Sequence, residues 1–306
     1  MGDAPDKNGV MLMNDSVESD GLLAHHESYV AMRDGTRLLV GRLTTPDCNR
    51  TVVFIHGCGE YGRRYQHVAE YLVQAGWNVL TLDLRGHGGS EGTPTHSSNF
   101  DQYVDDLETV CRSFDLSPSQ TVLMGHSMGG LAAIRFAQTH RDRLVALVAF
   151  SPMLRLHVAV SRFTLCVGWL MSLVAPRTRF RSRVPAEHTT RNPDVLARRS
   201  QAPLLRNSVT AGGFFAMRRG MRCAWKYARG LQLPLLVLQA GQDRIAAPEA
   251  AGDWMHTVGS SDKTLTMLAD EFHELLNEPD WRETLDLAVQ WLELRVPVAR
   301  GKGSTE

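Results

Sequence analysis

Apolar positions recur along the chain in steps of two in some stretches and at helical spacing in others, and the switches between these periods mark out the elements. His26 to Val30 and Arg37 to Leu43 alternate weakly around Asp34-Gly35, which predicts a hairpin closed by an Asp-Gly turn. Thr51 to His56 is a short β-branched run ending in glycines, and Arg64 to Gln74 then takes helical spacing before Gly76. Trp77 to Leu82 reads as a second buried strand, and Phe100 to Phe114 as an amphipathic helix with Tyr103, Leu107, Val110 and Phe114 on one face. Thr121 to Met124 is a third strand of this series. It runs into the turn Gly125 to Gly130, a helix from Leu131 to Thr139 and an apolar strand from Leu144 to Phe150.

The alternation stops at Ser151-Pro152. It resumes with a strand at Leu235 to Gln239, a helix near Pro248 to Thr257, a strand at Thr264 to Leu268 and a helix from Trp281 to Leu294. Strands and helices alternating in this way predict an α/β fold with a mostly parallel central sheet covered by helices on both faces. The gap between the two halves is rich in Arg, Met, Trp and Phe and looks helical, which predicts an inserted helical cap. The expected organisation is a disordered acidic segment over 1–25, core over 26–151, cap over 152–230, core again over 231–296 and a disordered tail over 297–306.

Composition narrows the functional classes. The 33 basic and 33 acidic residues cancel, so overall charge gives no reason to expect a nucleic-acid partner. Five scattered cysteines, with no CxxC pair and no histidine at zinc-ligand spacing, predict reduced thiols in a cytoplasmic protein without a metal site. The first 20 residues lack the apolar run of a signal peptide. The longest apolar stretch, Phe163 to Ala175, is far shorter than the roughly 20 residues that span a bilayer.

The chemistry starts at Gly125-His126-Ser127-Met128-Gly129. A GxSxG pattern can occur by chance in a glycine-containing loop, but here a strand precedes it and a helix follows. A sharp strand-to-helix turn strains the serine backbone and leaves almost no room for side chains two residues away on either side, hence glycine at 125 and 129. Ser127 is then the candidate nucleophile, with the N-terminus of the following helix directed at any anion formed there.

A second cluster, Gly57-Cys58-Gly59-Glu60-Tyr61-Gly62, has two readings. It fits GxGxxG between a strand and a helix, with Asp83 placed 21 residues after Gly62, as in a dinucleotide-binding unit. Alternatively His56-Gly57-Cys58-Gly59 is the loop that supplies one backbone N–H of an oxyanion hole, at Cys58, while Met128 supplies the other. The dinucleotide reading accounts for nothing at Ser127, whereas the hydrolase reading accounts for both clusters in chain order.

A serine nucleophile needs a base and a carboxylate to orient it. Asp243 follows the strand Leu235 to Gln239, and His273 follows the strand Thr264 to Leu268, both at the carboxyl ends where parallel sheets build their sites. Either could be an ordinary loop residue. Of the 12 histidines only His256 and His273 lie beyond Asp243, and His256 falls in a predicted helix, so the expected triad is Ser127, Asp243 and His273. Asp270 and Glu271 are alternative acids. Asp83, Arg85 and His87 are expected to brace the neighbouring loop.

With these pieces in place the chain resembles the monoacylglycerol lipase and lysophospholipase branch of the α/β-hydrolases. The resemblance rests on Asp34-Gly35-Thr36, His56 to Glu60, Asp83 to Gly88, Gly125 to Gly130, Gly241-Gln242-Asp243 and Phe272-His273-Glu274. It implies hydrolysis of an ester bond in a single-acyl-chain lipid, a monoglyceride or lysophospholipid, without a cofactor. Relatives often carry a small residue such as alanine where this chain has Cys58, a change that leaves the backbone donor in place.

The cap decides the substrate, and its charge is uneven. From Met153 to Arg229 there are 15 Lys and Arg against Glu187 and Asp194, a net +13 over 77 residues. Apolar residues of Met153 to Ala175 and the arginines 177, 179, 181, 183 and 191 are expected to meet anionic lipid, the apolar helix serving as the acyl-chain entrance, so that the protein is peripherally membrane-associated. The same triad would serve a short-chain carboxylesterase, an amidase or peptidase, or an acyltransferase. A binding protein that kept the fold without catalysis would usually have lost a triad member.

Overall fold

The computed structural model describes residues 10–12, 24–46, 48–158, 160–182, 184–199 and 201–297. In chain order the first half runs β1 (Val10–Leu12), β2 (Ala24–Ala31), β3 (Arg37–Thr44), β4 (Thr51–Ile55), α1 (Gln66–Gln74), β5 (Asn78–Leu82), α2 (Asp101–Ser113), β6 (Thr121–His126), α3 (Met128–Thr139) and β7 (Ala146–Phe150). The second half runs α4 (Arg162–Val174), β8 (Arg179–Arg181), α5 (Pro193–Arg199), β9 (Ser208–Thr210), α6 (Ala211–Lys226), β10 (Leu235–Ala240), α7 (Pro248–Thr257), β11 (Lys263–Leu268) and α8 (Trp281–Glu293).

Nine strands form the central sheet in the order β1-β2-β3-β5-β4-β6-β7-β10-β11. The six from β4 to β7 with β10 and β11 run parallel, and the β2–β3 hairpin adds antiparallel strands at one edge. Its turn holds Gly35 at φ +83°, a left-handed conformation that glycine adopts at little cost. Every residue of β4, β6, β7 and β10 is buried, as parallel strands covered on both faces must be. Alternate residues feed opposite cores: Val53, Ile55, Leu123 and Leu147 pack toward α2, α3 and α7, while Val52, Phe54, Val122 and Val148 pack toward α1 and α8.

Three local expectations change. Within 1–25, the apolar tripeptide Val10–Leu12 pairs antiparallel with β2 and extends the sheet instead of being disordered; the rest of residues 1–23 and the tail 298–306 lie outside the described residues. The helix expected from Met153 begins only at Arg162, because Met153 and Leu154 turn down into the core after β7 and Leu156 bridges to Ala246. The insertion is also not wholly helical, since β8 and β9 pair antiparallel within it.

The insertion has two characters. Helix α6 is built into the core: Gly220 lies against the Phe100 ring, and the Ala224 carbonyl accepts from Gln138 Nε2 and Trp254 Nε1. Helix α4 has no buried residue and exposes Phe163, Trp169, Leu170, Leu173 and Val174. No helix among the described residues is long and apolar enough to cross a membrane.

Arg50 closes the fold at the amino end of β4. It is 2% exposed, lies 4.1 Å from the Trp77 ring centre, and donates to Glu293 and to the carbonyls of Ala75, Gly76 and Val296. Removing it leaves the buried Val296 carbonyl and the part-buried Ala75 carbonyl without this donor, while Gly76 keeps Cys48 Sγ, and Glu293 is half-exposed and can return to water. Arg50→Met is expected to lower unfolding free energy by about 3 kcal/mol and Glu293→Gln by less than about 1 kcal/mol. Urea denaturation of both variants checks this ordering.

Candidate active site

Ser127 sits between β6 and α3 at φ +54°, ψ −114°, the strained conformation expected of a serine raised above a sheet edge. Gly125 and Gly129 are required there. A Cβ on Gly125 would overlap the Gly129 carbonyl, and one on Gly129 would overlap the carbonyls of Ile55 and His56. The Ser127 N–H donates to the Phe150 carbonyl at 3.0 Å, so the serine's own amide is occupied by the adjoining strand.

The loops after β10 and β11 bring Asp243 and His273 to this turn. Ser127 Oγ lies 2.9 Å from His273 Nε2, and His273 Nδ1 lies 2.7 Å from Asp243 Oδ2. A carboxylate only accepts, so Nδ1 carries the proton and leaves Nε2 free to receive one from the serine. The other Asp243 oxygen accepts from the amides of Ile245 and Ala246, and Gln239 Nε2 donates to Oδ2. All three residues are buried.

Burial and pairing act in opposite directions on both titrating groups. Burial alone would lower the His273 pKa, but the Asp243 carboxylate beside it raises it above the ordinary imidazole value. Burial alone would raise Asp243, and His273 with the two amides holds it below the ordinary carboxylate value instead. Of the other candidates, Glu271 turns to Arg191, and His256 is exposed on α7.

The glycine loop after β4 faces the serine from the other side. His56 Nε2 accepts from the Leu84 amide at 3.0 Å, which puts the ring proton on Nδ1, and Nδ1–H donates to the Gly57 carbonyl at 2.7 Å. Burial pushes the His56 pKa down to about 4, so the ring is neutral at physiological pH. The Gly57 carbonyl and the Cys58 N–H belong to one planar trans peptide and point in opposite directions. Holding the carbonyl therefore aims the Cys58 amide. Met128 is the first residue of α3, where an amide has no intrahelical carbonyl to bond.

The dinucleotide alternative does not fit this geometry. Both Asp83 oxygens are used by the amides of Gly62 and Gly89, and Gly59 is covered by Arg206, whose amide donates to the Gly59 carbonyl. Arg85 is tied to Asp106 and Asp34, and His87 Nδ1 to the Arg85 carbonyl, so the Asp83 to His87 segment braces its loop.

One part of the site had no counterpart in the sequence reading. Glu60, Arg64, Glu274 and Arg199 form a chain of ion pairs at 2.6 to 3.2 Å beneath the triad. The four-residue spacing of Glu60 and Arg64 on a loop-to-helix start was the only local signal.

A family model described as serine aminopeptidase, S33, matches residues 46–280. The chain is 29% identical over 242 residues to the phospholipase YtpA of Bacillus subtilis, covering 78% of this chain and 92% of that protein. It is 28% identical over 253 residues to a monoacylglycerol lipase of Mycolicibacterium smegmatis, covering 81% and 90%. A crystal structure of a Paleococcus ferrophilus monoacylglycerol lipase superposes with a TM-score of 0.79 at 27% identity, covering 84% of this chain and 99% of that one. The chain thus belongs to the serine aminopeptidase S33 family, in the monoacylglycerol lipase and lysophospholipase branch of the α/β-hydrolases, and is a carboxylic ester hydrolase.

Proposed function

We propose that the protein cleaves the ester bond of single-acyl-chain lipids, monoacylglycerols or lysophospholipids, through an acyl-enzyme on Ser127. The observation that carries this is the unbroken hydrogen-bond chain Ser127–His273–Asp243 in a fold whose insertion exposes an apolar helix. His273 Nε2 takes the hydroxyl proton as Ser127 Oγ attacks the ester carbonyl, and the amides of Cys58 and Met128 receive the oxyanion. Collapse breaks the bond to the alcohol, which leaves with the proton from His273. Water then gives its proton to His273 and attacks the acyl group, releasing the fatty acid and restoring Ser127.

Helix α4 supports a substrate that carries a long alkyl chain. Phe163, Leu173 and Val174 are 78%, 62% and 70% exposed, an apolar face that suits an alkyl chain. Arg162, Arg177, Arg179 and Arg181 flank it without an ion pair among the described residues, whereas Arg191 is clamped by Glu271, Glu278 and Asp280. The proposed consequence is that α4 and β8 lie on an anionic lipid surface, each nearby arginine adding about 1 kcal/mol. In vesicle sedimentation at low salt, binding is expected to favour anionic over neutral vesicles and to fall in Phe163→Ser/Leu173→Ser. Equal binding to both vesicle types removes the electrostatic half of the proposal.

Ser127→Ala is expected to abolish both fluorophosphonate labelling and p-nitrophenyl ester hydrolysis. A folded wild-type protein that fails to label contradicts the triad. The base must be neutral to work, so kcat/KM should rise with pH through a pKa above 6.5, the ordinary imidazole value. Asp243→Asn removes the interaction that raises this pKa while burial continues to lower it. The acid limb is then expected to move to lower pH, with kcat down by about 10⁴-fold, both read from a pH–rate profile.

A further inference from the structure

The proposed triad joins three loops that come from distant parts of the chain, and one buried carboxylate is linked to two of them, the turn of Ser127 through His126 and the loop of His273 through Arg64 and Glu274. Glu60 lies on the loop of the candidate oxyanion donor, 6% exposed. Its Oε2 accepts from the Gly57 amide at 2.7 Å and from the Tyr65 hydroxyl at 2.8 Å, and that hydroxyl and Oε2 both face His126 Nδ1, at 3.1 and 3.4 Å. His126 immediately precedes Ser127. Its Nε2 lies 3.1 Å from the His273 backbone carbonyl, an acceptor, so Nε2 carries a proton and donates it. The rings of His126 and His273 are centred 4.9 Å apart. Arg64 extends the same network from Glu60 to Glu274, the residue after His273.

We propose that Glu60 is a positioning residue for the triad: together with the Tyr65 hydroxyl that it holds, it fixes the His126 ring, and that ring fixes the backbone of His273, so the base stays within reach of Ser127. This deepens the acyl-enzyme reading and rests on it. A charge in this place has no packing role that an apolar residue could not fill. Its burial is offset by four hydrogen-bond or ionic partners, and two of those lie on segments that carry proposed catalytic groups. The groups facing His273 are Asp243, Glu274, Glu60 and the His126 ring. Glu60 adds to the negative charge that favours protonated His273, so its loss should also be visible in the pH profile.

The test uses fluorophosphonate labelling rates of the full chain, which need no knowledge of the natural substrate. Wild type against Ser127→Ala tests the triad reading itself; the other variants test only the positioning role. Glu60→Gln keeps the shape and an acceptor but removes the charge, and His126→Phe keeps a ring but removes the bond to the His273 carbonyl. In each, labelling of Ser127 is expected to slow about 10- to 100-fold, with KM for a p-nitrophenyl ester near that of wild type. In Glu60→Gln the acid limb of kcat/KM should shift to lower pH. The double variant should be no slower than the slower single one, since both residues act through one contact. Folded single variants that label at the wild-type rate, or losses that multiply in the double variant, overturn the proposal. Failure of both single variants to fold overturns it too, because it assigns these groups to stability.

Discussion

Everything at the site depends on the backbone at Ser127, held at φ +54° where a residue with a side chain is strained. That conformation exists only because β6 and α3 meet with glycine at 125 and 129, which lets α3 approach the carbonyls at the end of β4. The strand order puts the loop after β4 on one flank of the serine turn. It leaves the opposite side open to the loops after β10 and β11. A local steric constraint thus decides where the proposed nucleophile can stand, and the sheet's parallel register brings Asp243 and His273 to it.

The second constraint is electrostatic. Asp243 and the Glu60–Arg64–Glu274–Arg199 chain are charged groups largely removed from water, and such groups persist only when each finds partners of opposite charge or well-aimed donors. Asp243 has two amides, Gln239 and His273. Glu274 has Arg64, Arg199 and Asn277, and its amide donates to the Thr189 carbonyl of the insertion. The segment around Thr189 to Arg199 is therefore bonded to the residue beside the base. The insertion is thereby tied directly to the loop that carries His273.

What the sequence revealed follows from what is local. The hairpin at Asp34-Gly35, the buried strands and the glycine spacing around Ser127 each depend on residues a few positions apart, and each stands in the structure close to where periodicity placed it. The meeting of Ser127, Asp243 and His273 could be anticipated because parallel sheets gather strand ends on one edge. Contacts made across long separations were not legible: Arg64 reaches Glu274 over 210 residues, and Arg50 reaches the end of α8 over 243. Nor was the path of Met153 to Leu156, where apolar residues at near-helical spacing serve the core and a bridge to Ala246 instead. The glycine loop at 57–62 shows the opposite hazard. A pattern that satisfies a nucleotide-binding fingerprint is here filled by Glu60 and covered by Arg206.

The central claim is that Ser127 becomes acylated, and a rapid-quench experiment with a p-nitrophenyl ester addresses it without intermediaries. The account predicts a burst of p-nitrophenol equal to the enzyme concentration when deacylation is slowed at acid pH, with the acyl mass found on the peptide that contains Ser127. Steady turnover with no acyl adduct, or an adduct on another residue such as Cys58, would contradict it.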